Sequence, residues 1–302
     1  MTIAITGGTG FVGQALIDRA REAGVVVHAL ARQPQPRRDG IEWVAGDLGD
    51  RQALAKLVDG VEAVIHVAGL TSAPHASQFE APNVTGTLAV IEAMLAAGVQ
   101  RLIFVSSLSA REPKLSAYGA SKARAERLVK ASGLDWTIVR PPAVYGPRDK
   151  DMFELFRAAK WGLVPTPKEG RSSLVHVDDL ARLLMALVPG GEGISHLAFE
   201  PDDGKRGGWT HYELARTIGW AMGRRPKVIG LSKRMMEWGA KADGLLRGAK
   251  AKLTLDRVGY MNHPDWVVSL GARVPAALWR PRIETRGGLK ATAAWYREKG
   301  WL

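Results

Sequence analysis

Residues Thr6 to Gly13 read TGGTGFVG, and this stretch decides the fold. It follows the short apolar run TIAIT and opens the helix-like segment FVGQALIDRAREAG. Gly8, Gly10 and Gly13 have the spacing at which a strand turns tightly into a helix and its backbone approaches a pyrophosphate. The free N–H groups of the helix N-terminus then face the phosphates. A merely glycine-rich turn would not explain three glycines in phase, so we predict a dinucleotide site here.

The first 140 residues alternate between short apolar runs and longer segments with helical spacing. The runs are TIAIT, VVVHAL, EAVIHV, RLIFVS and DWTIVR, and the segments between them include TLAVIEAMLAAG. Strands that are apolar throughout are typical of a parallel sheet buried on both faces, with helices as crossovers. The pattern predicts a doubly wound α/β domain, in which ligands bind at the carboxyl ends of the strands.

Composition narrows the classes of protein. The 302 residues are 46% hydrophobic and contain no cysteine, which excludes disulfides, thiolate catalysis and cysteine metal sites. No apolar run approaches the ~20 residues of a membrane span. MTIAITGGTG carries no basic leader before its first strand, so we expect no signal peptide and a cytoplasmic protein.

The net charge of +12 is concentrated near the C-terminus. From Arg224 onward there are 17 Lys or Arg and 6 Asp or Glu, a net charge of +11. No nucleic-acid recognition motif accompanies this charge, so an anionic substrate or lipid surface is at least as good a partner. We expect a small-molecule substrate and no nucleic acid, and we leave open a peripheral contact with anionic membrane and a homodimer.

The end of the second strand bears on the choice of dinucleotide. An NAD site normally has Asp or Glu here to accept hydrogen bonds from the ribose hydroxyls. This chain has Arg32, with Arg37 and Arg38 behind it. A guanidinium binds a 2′-phosphate, whereas a carboxylate repels it. We predict that NADP(H) is preferred and NAD(H) is the alternative; the competing interpretation is that Arg32 is a solvated loop cation.

Two further strand ends carry candidate groups. AGDLGD follows the third strand and places Asp47 where it could meet an adenine amino group. HVAG, residues 66–69, ends the fourth strand with small residues that let a cofactor lie close. His66 has no carboxylate or second histidine at ligand spacing, so we favour a packed histidine over a metal ligand or general base.

A hydroxyl, a phenol and an ammonium converge at the end of the fifth strand. FVSSLSA places Ser106 and Ser107 at the sheet edge, and SAYGASKARAERL puts Tyr118 four residues before Lys122, one turn along a helix. Spacing alone also fits an ordinary solvated surface. Reduction of a carbonyl needs a proton donor, and a nearby cation lowers the pKa of a phenol. Together these residues favour catalysis.

The motifs taken together resemble the extended short-chain dehydrogenase/reductase family over nearly the whole chain. They are TGGTGFVG, GDL, HVAG, NVTGT, FVSS, YGASK, RPPAVYGP and LVHVDDLA. The resemblance implies a Rossmann sheet of about seven strands with a smaller C-terminal substrate domain. On this basis residues 1–145 with 174–200 form the dinucleotide-binding domain, and 146–173 with 201–302 the substrate domain.

The resemblance also implies site residues. Tyr118 is expected as the general acid/base, Lys122 as the group that binds the nicotinamide ribose and lowers the tyrosine pKa, and Ser107 as the residue that orients the substrate. Asn83 matches a structural or relay position. The expected cofactor-binding residues are Gly7, Thr9, Gly10, Phe11, Val12, Arg32, Asp47, Leu48, Val67, Ala68, Gly69, Ser106, Tyr118, Lys122, Pro141 and Val144, and no metal is expected.

Departures from related enzymes narrow the chemistry. Nucleotide-sugar dehydratases carry an acidic pair just after the serine, whereas this chain reads Leu108-Ser109-Ala110-Arg111, and the VYG common in sugar epimerases is absent there. We expect an NADP-dependent oxidoreductase that interconverts a carbonyl and an alcohol on a small, mostly apolar molecule. The alternatives are a nucleotide-sugar epimerase or dehydratase, and a non-catalytic dinucleotide-binding scaffold.

One basic segment admits two interpretations. Between Leu231 and Leu253, apolar residues recur every three or four positions, namely Leu231, Met235, Trp238, Ala242, Leu245, Leu246, Ala249 and Leu253. Basic residues occupy much of the remaining circumference. The plainer interpretation is an amphipathic helix whose apolar face covers the substrate domain. The other is a mobile flap over the active-site mouth that also touches anionic membrane.

Overall fold

A computed structural model describes residues 1–248, 251 and 253–302. Its strands are β1 Thr2–Thr6, β2 Val26–Ala31, β3 Ile41–Ala45, β4 Ala63–His66, β5 Arg101–Val105, β6 Asp135–Val139, β7 Ala143–Tyr145, β8 Leu163–Pro167, β9 Arg171–Ser172, β10 Leu174–His176, β11 Leu197–Phe199, β12 Trp209–Thr210, β13 Lys227–Leu231 and β14 Asp265–Trp266. Within the described ranges, no helix is both long and apolar enough to cross a membrane.

The helices have the following bounds. They are α1 Phe11–Glu22, α2 Arg51–Val58, α3 Gly86–Ala97, α4 Ala117–Ala131, α5 Phe153–Lys160, α6 Val177–Ala186, α7 His211–Ala221, α8 Lys233–Arg247, α9 Leu255–Met261 and α10 Thr285–Glu298. The amphipathic helix expected between Leu231 and Leu253 begins at Lys233, and the Ser232 side chain caps it by accepting a hydrogen bond from the Met235 N–H. Ala249, Lys250 and Lys252, which the sequence interpretation included, lie outside the described residues.

The central sheet has seven parallel strands in the order β11-β6-β5-β4-β1-β2-β3. The predicted Rossmann fold is therefore confirmed. The strand order changes direction between β1 and β4, and the crevice at this switch point is where such sheets bind ligands. Thr6 ends β1 and His66 ends β4, so the glycine turn and the HVAG segment meet at this crevice.

Each face of the sheet is covered by its own helices. Side chains of α1 and α6 pack on one face, and those of α2, α3 and α4 pack on the other. The fully apolar strands seen in the sequence follow from this arrangement, because neither face meets water. Trp279, from the late part of the chain, also packs into the α1–α6 side and donates its indole N–H to the Asp179 carbonyl at 3.1 Å.

A second hydrophobic core lies outside the sheet. It is formed by α5, α7 and α10 around the fully buried Phe156, Ile218 and Tyr296. A third and much smaller cluster joins α8 to α9 through Met236, Ala240 and Val258. The late part of the chain supplies side chains that approach the sheet edge, and the division into a dinucleotide-binding and a substrate domain stays a prediction.

Candidate active site

The glycine turn after β1 has no room for side chains. Gly7 has φ +72°, and a Cβ on it would lie 2.7 Å from the Ala68 nitrogen. A Cβ on Gly13 would lie 2.0 Å from the Gly7 carbonyl oxygen, which accepts the Gly10 N–H at 2.9 Å. The N-cap of α1 is Gly10, which offers no side chain to its first N–H groups. A bare helix N-terminus beside a close-packed turn fits the pyrophosphate of a dinucleotide.

A chain of buried hydrogen bonds fixes the end of β4. Thr87 donates its hydroxyl to the Asn83 carbonyl, so the His66 Nε2–H donates to the Thr87 hydroxyl at 3.0 Å. Nδ1 then accepts from the Thr6 hydroxyl at 2.6 Å, and the Thr6 oxygen accepts the Ala68 N–H. Burial, followed by the Lys122 charge, lowers the His66 pKa to about 3.

These contacts make His66 a neutral packing residue. Both of its ring nitrogens are bonded within the fold, as the sequence interpretation favoured. No group of three metal-binding side chains occurs among the residues that the structure describes. The histidine instead holds the β4 end against the glycine turn.

The basic residues after β2 have different surroundings. Arg32 is exposed immediately after the strand. Arg38 instead forms an ion pair with Asp18 of α1, which also binds Arg148 at 2.9 Å. Arg38 is thus already paired, and the preference for NADP(H) stays a prediction.

The other predicted cofactor residues have the following local contacts. The exposed Asp47 accepts the Gly49 N–H at 2.8 Å, and Leu48 packs so closely on α3 that a Cβ at Gly86 would lie 2.6 Å from its Cδ1. The Pro141 carbonyl accepts the Leu108 N–H at 3.0 Å. Thr9 is exposed, whereas Phe11, Val12, Val67 and Val144 are partly buried against the α1–α6 core. Their contacts with a cofactor stay predictions.

Ser107 and Tyr118 are brought into contact by two separate elements. Ser107 follows β5, while Tyr118 lies in the first turn of α4, whose N-terminus is capped by Ser116. The side chains of Ser107 and Tyr118 share a hydrogen bond. The Ser107 oxygen also accepts the Ser109 hydroxyl at 2.9 Å and the Ser109 N–H at 3.2 Å. The Ser107 proton is therefore left for the phenol oxygen.

The sequence interpretation expected a lowered pKa for the Tyr118 phenol, and this expectation is wrong. Burial raises this pKa to about 12, and the hydrogen bond from Ser107 opposes the rise. The Coulombic influences on it come from Tyr260 and Asp151, which raise it further. At neutral pH the phenol therefore keeps its proton, which is the form that can donate to a carbonyl oxygen.

Lys122 is buried one turn further along α4. Its Nζ donates to the Val105 carbonyl at 2.7 Å and lies 4.5 Å from the centre of the Phe104 ring. Burial lowers the pKa of Lys122 to about 8, although the Glu126 carboxylate opposes this. A Cβ on Gly69 would lie 3.6 Å from the same Nζ, so the HVAG segment and the lysine border one space.

Asn83 closes this space from the other side. It lies in a π-helical turn, Ala81–Thr85, that leads into α3. Its amide donates to the Leu70 carbonyl and the Ser121 hydroxyl, both at 2.9 Å, and its oxygen accepts the Leu70 N–H at 2.6 Å. The asparagine that the family resemblance singled out thus ties α4 to the segment after β4.

A buried charge network behind the site was not predicted. Glu126 of α4 accepts the Ser106 hydroxyl at 2.6 Å and both branches of the Arg140 guanidinium, at 2.8 and 2.6 Å. Arg140 also lies 3.6 Å from the buried Glu200, which pairs with Arg111 at 3.1 Å. The Ser106 side chain faces this network, so any cofactor contact by Ser106 would involve its main chain.

The late part of the chain also reaches the site, through α9. The Asp256 carboxylate accepts the Ala117 N–H at 2.5 Å and the Tyr118 N–H at 3.4 Å, at the N-terminus of α4. The Tyr260 ring lies 6.3 Å from the Tyr118 ring, centre to centre. A Cβ on Gly259 would lie 2.2 Å from the Leu115 carbonyl oxygen, so α9 packs directly on the loop before α4. No local pattern marks these residues, because 138 positions separate Asp256 from Tyr118.

This fold and site define a nicotinamide-dependent oxidoreductase, and comparison with known proteins agrees. Residues 3–195 match the model of the NAD dependent epimerase/dehydratase family. The chain is 37% identical to a protein of Caulobacter vibrioides named ceramide reductase, over 99% of this chain and 96% of that protein. It is 32% identical to 2-alkyl-3-oxoalkanoate reductase of Stenotrophomonas maltophilia, over 63% of this chain and 67% of that one.

A solved structure has the same architecture. MoeE5 in complex with UDP-glucuronic acid and NAD superposes with a TM-score of 0.76 and 25% sequence identity, over 99% of this chain and 100% of that chain. The chain belongs to the NAD-dependent epimerase/dehydratase family, among the extended short-chain dehydrogenases/reductases. It is an NAD(P)-dependent oxidoreductase, so the non-catalytic alternative falls away.

Proposed function

We propose that this protein reduces the ketone of a long-chain amide lipid, the oxidised form of a ceramide, to the alcohol, with NADPH as the preferred donor. The observation that carries the proposal is the 37% identity to a ceramide reductase over almost the whole of both chains. A match of this extent includes the late segments that shape a substrate site, which differ most among enzymes of one fold.

The site suits the reduction of a carbonyl. A nicotinamide dinucleotide held at the glycine turn after β1 would supply the hydride when bound. Tyr118 donates its proton to the carbonyl oxygen, and the Ser107 hydroxyl stabilises the resulting phenolate with the hydrogen bond it already directs at that oxygen. Because the pKa of Tyr118 is raised to about 12, the phenol is protonated before the reaction, which favours its role in reduction.

The surroundings of the tyrosine suit an apolar substrate. The Tyr118 ring has the Tyr260 ring on one side and the Phe79 ring on another, at 6.3 and 5.9 Å between centres. The Tyr260 ring offers apolar surface beside the phenol, which supports an alkyl chain as substrate. The exposed Arg32 after β2 supports NADPH over NADH, since no carboxylate follows that strand directly.

The experiment is reduction of a synthetic ceramide-type ketone in mixed detergent micelles, with NADPH and NADH compared. We expect the alcohol by mass spectrometry, with stoichiometric oxidation of NADPH, and a rate about 10²–10⁴ lower from Tyr118→Phe. The alternative function is epimerisation of a nucleotide sugar, which the similarity to MoeE5 supports. Conversion of UDP-glucose or UDP-glucuronic acid without net cofactor oxidation, and no reduction of the ketone, would contradict the proposal.

A further inference from the structure

Helix α8 packs on the protein through few side chains. Met236 and Ala240 are its only buried residues, and they meet Val258 of α9 in the small third core. One turn separates Met236 from Ala240, so they define the inward side of the helix. The remaining apolar side chains of α8 lie elsewhere on its circumference.

The apolar stripe recognised in the sequence faces outward instead. Met235, Trp238, Leu245 and Leu246 are 54%, 77%, 89% and 85% exposed. Trp238 and Leu245 are seven residues apart and therefore lie two turns apart on one side of the helix. The interpretation that this stripe covers the substrate domain is wrong for these residues, because the packing is made by Met236 and Ala240.

Basic residues alternate with the exposed apolar ones. One outward row of the helix has its members separated by four, three and four residues. It consists of Arg234, Trp238, Lys241 and Leu245. Lys233 and Arg247 have acidic neighbours on the helix, Glu237 at 4.0 Å and Asp243 at 3.2 Å. Within the described part of the chain, no carboxylate lies within ion-pair distance of Arg234 or Lys241. The face combines large exposed apolar groups with positive charge that its own helix does not neutralise.

This face is directly linked to the catalytic tyrosine. The inner side of α8 packs on α9, and α9 contacts the start of α4 through Asp256 and places Tyr260 beside Tyr118. The path from the outward stripe to the reacting phenol therefore crosses only two helices. Leu255, at the start of α9, is 54% exposed and adds to the apolar surface on this side of the site.

We propose that α8 is a membrane-docking helix, which lies in the surface of an anionic bilayer with Met235, Trp238, Leu245 and Leu246 inserted among the acyl chains. Arg234 and Lys241 then meet the anionic headgroups. A helix of this composition, lying in the plane of the interface, binds by apolar burial and by electrostatic attraction together. Helix α9, which carries Tyr260, then lies close to the bilayer, so a long-chain ketone reaches Tyr118 without crossing water, a step that rests on the proposed function.

The positive charge of this face favours an anionic bilayer as its partner over a second copy of the protein. A second copy would bring Arg234 and Lys241 of one helix against the like-charged face of the other. An anionic bilayer offers both an apolar interior and a negative surface to the same helix. The +11 charge of residues 224–302 acts in the same direction.

The test is co-sedimentation of the full-length protein with vesicles of phosphatidylglycerol and phosphatidylcholine, or of phosphatidylcholine alone, at low and high salt. We expect binding to the anionic vesicles at low salt, weakened about tenfold or more at high salt. The triple variant Trp238→Ser/Leu245→Ser/Leu246→Ser should weaken binding at least about a hundredfold, because three large apolar side chains no longer insert. Arg234→Glu/Lys241→Glu should reduce the preference for anionic vesicles.

Two matched controls accompany these variants. Trp161→Ser removes a tryptophan that is as exposed as Trp238. Trp161 precedes β8 at the end of the β8–β13 pair where β13 begins, whereas α8 follows the other end of β13. Lys56→Glu/Lys160→Glu reverses two exposed lysines on α2 and α5. Neither control should change vesicle binding by more than about twofold.

The outcomes separate docking from the proposed function. Absence of vesicle binding at low salt, or full binding by the triple serine variant, would overturn the docking proposal. The docking proposal would also be overturned if the protein formed a concentration-dependent dimer that the triple serine variant abolished. A second copy of the protein would then cover the face. Ketone reduction in detergent micelles requires no bilayer, so it can fail or succeed independently of docking. If both hold, the triple variant should keep its rate in micelles and lose it with ketone embedded in vesicles.

Discussion

The buried carboxylate of Glu126 is the group whose loss should affect both stability and the active site. Glu126→Gln keeps the shape of the side chain but removes the charge that holds the Arg140 guanidinium at 2.8 and 2.6 Å. Breaking a buried ion pair by removing one partner costs about 3–5 kcal/mol. Arg140 keeps a second carboxylate, Glu200, at 3.6 Å, so we expect the lower end, about 3 kcal/mol.

The measurement is urea unfolding, supported by thermal melting. A loss of about 3 kcal/mol corresponds to a fall in Tm of roughly 5 °C for a chain of this size. The control is Glu80→Gln, which removes an equal charge from Arg124 of the same helix α4, at 2.5 Å. Both of those side chains are about half exposed, so that change should cost less than about 1 kcal/mol. Equal losses in the two variants would refute the claim that burial makes the Glu126 network strong.

The same substitution should reach the active site through Lys122. The Glu126 carboxylate opposes the effect of burial on the Lys122 pKa, which stands at about 8. Without that charge the pKa falls further, so the alkaline limb of the kcat/KM profile should move to lower pH. An unchanged profile in a folded Glu126→Gln protein would show that the protonation of Lys122 does not limit the reaction.

Three further results are expected. Tyr118→Phe should bind NADPH with unchanged affinity by calorimetry but lose about 10²–10⁴ in turnover, because only the proton donor is removed; near-normal turnover would contradict its role. Arg32→Asp should weaken NADPH far more than NADH in paired titrations, and equal affinities for the two in the unmodified protein would make Arg32 a bystander. The pKa of Lys122 falls from 10.5 in an unfolded chain to about 8 in the fold, so the unfolded chain binds more protons between these values. The free energy of unfolding should therefore gain up to about 3 kcal/mol as pH rises from 8 toward 10.5. Lys122→Met should lack this gain in urea titrations at pH 7.5 and 9.5, and an equal gain in both proteins would contradict it.

The dinucleotide half of the molecule could be predicted from local pattern. The glycine turn, the apolar strands and the Tyr118–Lys122 spacing each depend on neighbours within a few positions, so they are visible in the linear chain. The parallel sheet follows from strands that must be apolar on both faces. His66 was recognised as a packing residue by the absence of partners at ligand spacing, and the bonds to Thr6 and Thr87 agree.

The electrostatics of the site, in contrast, were decided by tertiary packing. The pKa of Tyr118 depends on how deeply the phenol is enclosed and on Tyr260 and Asp151, which are distant in sequence. Burial raises this pKa and the two Coulombic influences raise it further, so the predicted direction of the shift was wrong.

The orientation of α8 was decided in the same way. Its sequence carries two apolar rows, and periodicity alone cannot say which row is buried. The contact with Val258 of α9 turned Met236 and Ala240 inward and left Trp238 and Leu245 outside. Sequence by itself determined the fold, the glycine turn and the spacing of the candidate residues Tyr118 and Lys122, because local spacing encodes them. Only the tertiary structure decided which charges are buried and which apolar face is free, because both depend on segments far apart in the chain.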